Sequence, residues 1–596
     1  MPFWFWNDTL DRDEIIRQLA DFERHGVHGF VLHPRVGLPR TQGWMSPGLL
    51  EFYQVAIAEA DRRGMKVLLY DEGMYPSGSS SGQVVAANPA FACRGLAKVE
   101  LAAGVELALG PDENLVALFP KPDGGRLAVV DRRINSFIRG LHYVGDGPAE
   151  DEPAAGDLLN PASVVMFLQL VYDQFAAHFS RYFGTTILGI FTDEPSLVGR
   201  CRERDVRPGT RDILEHVNRI LGYDFTPHLP ALWDATLPAA EQHRQDYFRA
   251  VRVRLEETYY AQLSGWCEQH GVALAGHPEK GDDIGVLRYF HIPGQDTVWR
   301  WVLPDHKTAL EGAESTQAKC SSSAAIHGGR RRNSNECCGA YGHELTWDEM
   351  GWLANWCLVR GVNLLYPHAF YYSVRGMRRD ERPPDVGPHA AWWDRYPEYA
   401  DACRRLCWIN TDCVHVCDLA ILGKSDWLPW AAAKACYRHQ QDFNYLEQGD
   451  LVRATIDGQG IRLAGMTYRA LIVEHELPPE SQRALEPLAR AGRVIHAAAT
   501  QPEPELIEQI RRLIPADVQV APAAPGLRIR HVRKDNSDWY LLFNEEKTPF
   551  QLAVHLSAGA AGVVLDPVTA QTTAWTPLQF SLAGHELRVV RINSRP

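Results

Sequence analysis

Apolar and polar positions along the first seventy residues follow two periods in turn. Phe3 to Trp6 form a short apolar run, after which Ile15, Ile16, Leu19 and Phe22 recur at helical spacing. Asp11 and Glu14 stand ahead of that helix with the spacing of a capping box, and Gly26 ends it. The run "GFVLHPR" predicts a second strand, and Ser46 with Pro47 starts a second helix that carries Phe52, Val55 and Ala56 and stops at Gly64. "KVLLYDEG" is the third strand. Strands that are apolar throughout and alternate with helices predict a parallel sheet covered by those helices.

The rhythm breaks over about residues 97–150, where short segments such as "NLVALF" and "RLAVV" predict a small β insertion. It resumes with a helix over about 161–183 and the strand "ILGIFTDE"; a polar, helical excursion over about 200–268 then leads to "VALAGH". "HIPGQD" with a helix over about 306–320, "RRRNSNECC" with the helix "TWDEMGWLANWCLVRG", and "NLLYPHAFYYS" bring the count to eight strands. Eight alternating with helices close a (β/α)₈ barrel, the TIM barrel. Residues 411–515 then predict a smaller doubly wound α/β domain, flavodoxin-like in its alternation, and residues 516–596 alternate in period two as an antiparallel β-sandwich. The expected organisation is a barrel over 1–410, carrying the insertion, followed by these two domains.

Composition narrows the functional classes. Hydrophobic residues make up 45% of the 596 and charged ones 23%, and no apolar run is long enough to cross a bilayer, so no membrane partner is expected. The formal charge is −13 with no Lys/Arg block, which disfavours nucleic acid and leaves small-molecule or oligosaccharide ligands. "MPFWFWND" reads as a strand rather than a signal peptide, which gives a cytoplasmic expectation. Twelve cysteines are scattered without CxxC pairs; Cys337, Cys338, Cys413 and Cys417 lack the further ligands of a zinc site, and reduced, buried thiols are expected.

In such barrels chemistry sits at the C-terminal ends of the strands. Those ends carry Asn7 and Asp8, His33 and Arg35, Asp71 and Glu72, Asp193 and Glu194, His277 and Glu279, Asp296, Glu336, and His368 with Tyr371 and Tyr372. Trp4, Trp6, Tyr75, Trp299, Trp301 and Trp392 lie near them. Carboxylates beside aromatic platforms suit a sugar, whose ring shows apolar C–H faces between hydroxyls. Glycosidic cleavage needs two carboxyl groups facing one bond, and Glu194 after strand four and Glu336 after strand seven fall on opposite sides of the mouth. Asp193 can raise the pKa of Glu194 by like-charge repulsion, or point to the other face as an ion-pair anchor. Arg330, Arg331 and Arg332 offer Glu336 an alternative as a plain ion-pair partner. His33, Arg35, His277 and His368 are expected to hydrogen-bond substrate, and "SGSSSG" (Ser77 to Gly82), which lacks the Lys of a phosphate loop, to bring backbone close to the sugar.

"PFWFWND", "GFVLHPRVGLP", "LLYDEGMYPSG", "GIFTDEPS", "SNECCGAYG" followed by "LTWDEM", and "GVNLLYPHAFYYS" together resemble glycoside hydrolase family 106, the α-L-rhamnosidases and their relatives, in order over about residues 2–400. The tail is similar to the amidotransferase-like and β-sandwich accessory parts of barrel β-galactosidases. The resemblance implies a barrel hydrolase with Glu194 as general acid, Glu336 as its partner and often a calcium ion near the sugar, for which Asp71, Glu72, Glu279 and Asp296 are the candidate oxygen ligands, or else hydroxyl binders. Two departures stand out: the chain is shorter than typical members and lacks their extra β domains, and it has Asp193-Glu194 where clan A retaining enzymes have Asn-Glu. Glu336 is then either a general base on water, the inverting case, or a nucleophile in a retaining, β-galactosidase-like enzyme, according to whether the carboxyls stand about 6.5–9.5 Å or about 5–5.5 Å apart. A non-catalytic carbohydrate-binding protein on the same fold is the reading from a different class. "ALIVEHELP" lacks the cysteine of an amidotransferase elbow, so the α/β domain is expected to serve packing or homo-oligomer formation.

Overall fold

The computed structural model describes residues 1–143 and 152–593. Its central sheet is a closed parallel barrel. Seven staves, β1 (Phe3–Trp6), β2 (Gly29–Pro34), β3 (Lys66–Tyr70), β4 (Ile187–Asp193), β5 (Ala273–His277), β6 (Ile292–Val298) and β7 (Ser334–Gly339), pair in chain order. The eighth is split: β8 (Leu365–Pro367) pairs with β7, and β9 (Phe370–Tyr371) pairs with β1 and closes the ring.

Side-chain alternation explains how the barrel fills. Phe3 and Phe5 point inward, where they meet Val31, Leu68, Tyr70, Phe191 and Tyr366 in a packed interior. Trp4 and Trp6 point outward into the layer between sheet and helices, and Trp4 Nε1 donates to Gln18 of the first helix, Arg12–Arg24. The expectation that these two tryptophans serve as sugar platforms is therefore corrected: both are fully buried on the wrong side of the sheet. Asp11 and Ser46 cap the first two helices through the backbone N–H groups of Glu14 and Leu49, but the expected capping box is not completed: the Asp11 N–H donates to Tyr372 Oη, and the Glu14 carboxylate accepts from Arg17 and Gln18.

Behind β6 the helix runs over Gln317–His327 rather than about 306–320. Residues Lys307–Ala309 and Ala313–Thr316 form only 3₁₀ turns, because Gly312 adopts φ 88 and interrupts any earlier helix. The β insertion is a sheet of Arg94–Leu101, Asn114–Pro120 and Arg126–Arg133, completed by Val206–Pro208 from the connection after β4. Part of the predicted insertion, residues 144–150, lies outside the described residues.

Beyond the barrel, a parallel sheet orders Asn444–Glu447, Leu419–Gly423, Ala470–Val473 and Val494–His496, the doubly wound arrangement. Two antiparallel sheets follow, one built on Leu527–Lys534, Ser537–Asn544 and Leu587–Asn593, the other on Val518–Ala521, Phe550–Leu556 and Phe580–Leu582. A buried ion cluster joins all three regions. Arg360, at the end of helix Trp347–Val359, donates to Glu545 Oε1 at 2.8 Å, and Arg528 Nε donates to Glu545 Oε2 at 2.5 Å. Arg528 also donates to the Tyr437 carbonyl, and Tyr437 lies under the Arg360 guanidinium. All twelve cysteines are free thiols. Among the described residues no helix is long and apolar enough to cross a membrane.

Candidate active site

The C-terminal ends of β4 to β7 bring five titratable side chains together. Register does most of this: Asp193 of β4 stands opposite His277 of β5, and Asp296 of β6 opposite Glu336 of β7. Gly276 makes the first pairing possible, because at φ 123 it lets β5 run against the Thr192 carbonyl, a position any Cβ would clash with. Glu194 follows β4 with φ 43, and this left-handed turn brings both it and Asp193 onto the wall of one cleft, although neighbours on a regular strand face opposite ways. Asp296 and Glu336 line the same cleft.

His277 is the hub of the cluster. Its Nε2 donates to Glu336 Oε2 at 3.2 Å and lies 3.5 Å from Asp193 Oδ1, and its Nδ1 lies 3.3 Å from the Pro278 carbonyl. Both ring nitrogens thus face acceptors, the pattern of an imidazolium. Burial disfavours the charge, but the Glu336 bond and the nearby Asp193 and Asp296 outweigh it and hold the ring well above its ordinary pKa. Burial, reinforced by the charge of Asp193, pushes Glu194 up to about 8. Asp296 is pushed well above the carboxylate range by burial and by Glu336. Burial also raises Glu336, and the His277 bond draws it back. Asp193 accepts from Tyr70 Oη at 2.5 Å and its charge helps to raise Glu194; it lines the same cleft as Glu194 and does not turn to the other face.

The arginines expected as alternative partners of Glu336 go elsewhere: Arg331 pairs with Asp412, and Arg332 donates to Asn363 and Thr411. His368 Nδ1 instead sits 3.1 Å from Glu336 Oε1, outside hydrogen-bonding alignment, and burial with the charge of Arg35 keeps that ring neutral. His33 is buried beside Arg35, at 3.3 Å, and burial likewise lowers its pKa. Arg35, Tyr75, Trp299 and His368 line the cleft with the acids.

Several residues placed at the rim by sequence have structural tasks. Asn7 is fully buried and exchanges two hydrogen bonds with the Ser373 backbone, tying β1 to the chain after β9. Asp71 accepts from Ser77 Oγ and Tyr172 Oη, and Ser77 Oγ also receives the Asp193 N–H. Glu72 accepts the backbone N–H groups of Gly73, Ser79, Ser80 and Ser81. The "SGSSSG" loop is thus wrapped around a carboxylate of the protein, in place of the expected sugar. Tyr371 donates to the Pro383 carbonyl and faces a neighbouring cavity with Trp392, while Tyr372 Oη accepts from Asp11 N, away from the cleft. Glu279 is exposed, near enough for its charge to add to the upward push on Glu194. With Asp71 and Glu72 committed, the four carboxylates considered for calcium do not assemble. The two groups of close potential ligands among the described residues, Asp193–Glu194–His277 and His277–Asp296–Glu336, each include an imidazole, which suits calcium poorly.

Five lining residues have no counterpart among the residues singled out from sequence: Val298 and Ala340 beside the β6 and β7 ends, and three from outside the staves. Arg139 reaches the cleft from the β insertion, and Arg382 and Pro383 from the loop after β9. Glu381 of that loop binds Arg35 Nη2 and Arg139 Nη2, each at 3.0 Å. The run "RGMRRDERPPD" carried the signal of a charged loop after the last stave, without a partner to read it against.

No protein-family model and no curated protein matches the sequence. Solved structures do match the fold. A rhamnosidase from Novosphingobium sp. PP1Y superimposes with a TM-score of 0.72 at 14% identity, covering 100% of this chain and 82% of that one. β-Galactosidases from Bacillus circulans sp. alkalophilus and Rahnella sp. R3 give TM-scores of 0.62 and 0.60, each at 9% identity over 99% of this chain and 98% of theirs. These likenesses establish the architecture: a TIM barrel with a β insertion, then an α/β and a β-sandwich region.

Proposed function

We propose that the protein is a glycoside hydrolase that removes a terminal sugar, with Glu194 as proton donor and Glu336 as the second carboxyl. One observation carries the reading: acids from β4 and β7, on opposite sides of the barrel mouth, meet around a single imidazolium in a cleft that also holds Trp299 and Tyr75. Glu194, held up to about 8, keeps its proton at neutral pH and can give it to a departing glycosidic oxygen. Burial raises Glu336, while the His277 hydrogen bond favours its ionised form, the form that would act on water or on the anomeric carbon. The sequence resemblance and the rhamnosidase fold make α-L-rhamnosides the first substrates to test and β-D-galactosides the second.

The test is release of nitrophenol from aryl glycosides of these two sugars. Glu194→Gln and Glu336→Gln should each lower kcat by about 10²–10⁴-fold while circular dichroism stays unchanged. Turnover at the parental rate in either variant would remove the assignment. The anomer released first, read by proton NMR, separates the inverting from the retaining mechanism.

A further inference from the structure

The acids occupy the floor of the cleft, but its rim is cationic. Arg35, Arg139 and Arg382 all line it, and the carboxylate paired with them is Glu381, which Arg35 and Arg139 share. Arg382 has no ion-pair partner among the described residues: its Nε donates to the Ala340 carbonyl at 3.1 Å, and its guanidinium lies 5.3 Å from the ring of Trp299. Arg139 is arranged alike, 5.7 Å from the ring of Tyr75. Arg35 is nearly inaccessible, whereas Arg139 and Arg382 keep solvent-facing surface.

Two aromatic rings each overlaid by a guanidinium offer a sugar two things at once. A ring face takes the apolar C–H side of a pyranose, and the guanidinium edge offers paired N–H donors matched to a planar or tetrahedral oxyanion. A neutral sugar would use only the first and leave Arg139 sharing Glu381 with Arg35, and Arg382 with no carboxylate partner among the described residues. Arg35 is taken up by Glu381 and also acts on Glu336, so the cations left for a ligand are Arg139 and Arg382.

We infer that the substrate of this cleft carries an anionic substituent, a carboxylate or a sulfate on the sugar, which Arg382 and Arg139 bind at the rim. The inference rests on the glycosidase reading only in taking this cleft as the sugar site. It is tested by calorimetric titration of the full-length protein with matched monosaccharides: D-galactose, D-galacturonic acid and D-galactose 6-sulfate, at low and high salt. At least one acid should bind about tenfold tighter than galactose at low salt, with the preference shrinking as salt rises; which acid does so distinguishes carboxylate from sulfate. Arg382→Gln should cut the acid-to-neutral ratio severalfold, Arg382→Lys should restore part of it, and the Arg139→Gln/Arg382→Gln double variant should bring it to about one. Equal or weaker binding of both acids by the parent, no measurable binding of either, or a preference that survives the double variant would overturn the inference. Aryl-glycoside hydrolysis is scored in parallel. Cleavage without acid preference defeats the inference and spares the hydrolase; acid-selective binding without cleavage of neutral or acidic glycosides does the reverse.

Discussion

Asp193 and Glu194 stand side by side in the chain, and the structure divides their tasks by what each one touches. Tyr70 and His277 hold Asp193, while Glu194 is left to feel its charge from a half-buried position. Asp193→Asn removes that charge, so the Glu194 pKa should fall from about 8. With Glu194 in the proposed role of proton donor, the alkaline limb of kcat/KM should then move to lower pH, with the protein still folded; an unmoved limb would show that Asp193 does not tune its neighbour. His277→Gln should cost more, since it strands Glu336 and Asp193 together without the cation between them. At this scale the two glutamates were legible in the sequence, because counting strands places them. The hub role of His277 was not, since it depends on register between β4, β5 and β7 and no local pattern encodes which rim histidine sits among four acids.

Elements were read better than their contents. The eight staves follow from apolar runs spaced by helices, but the sixth helix shows how a single glycine moves a boundary: Gly312 delays it to Gln317. The loop after β3 is the clearest case of a motif whose purpose the sequence hides. "SGSSSG" supplies three of the four N–H groups that close on Glu72, which is completely buried. Glu72→Ala would leave those donors without acceptors, and a loss of about 2–4 kcal/mol in chemical denaturation is expected. Because the same loop holds Ser77 against Asp71 and the Asp193 backbone, activity should drop along with stability, whereas Glu72→Gln, which keeps acceptor capacity on one oxygen, should lose less of both. An unchanged denaturation midpoint in Glu72→Ala would contradict this account.

For the whole molecule the Arg360–Glu545–Arg528 cluster matters most. Arg360 is fully buried, and Glu545 and Arg528 nearly so, at a point where the barrel, the α/β region and the sandwich touch. A second buried contact, Lys319 of the barrel with Asp442, itself bound to His415, ties the first two again. Burial opposes the Asp442 charge, yet Lys319 and His415 overcome it and hold Asp442 well below the usual carboxylate range; its contribution is therefore present at neutral pH and lost as the solution is made strongly acidic. Removing one member leaves charges buried without partners, so Glu545→Ala should destabilise by about 3–5 kcal/mol. The parent should melt in a single calorimetric transition, and separate transitions for barrel and tail would show that these clusters do not couple them. None of this was visible in the sequence, where Arg360, Arg528 and Glu545 are ordinary charges far apart; only the fold brings them into one apolar place.

The β insertion leaves one more consequence. Arg139 reaches the cleft from a segment that the barrel does not need in order to close, while the proposed catalytic acids sit at the ends of its staves or directly after them. Exchanging only the segment that carries Arg139, with the Glu72-bound loop and the following barrel helix kept, should change which substituents the cleft accepts while leaving the acids where they are, which makes that segment the natural cassette for redesign.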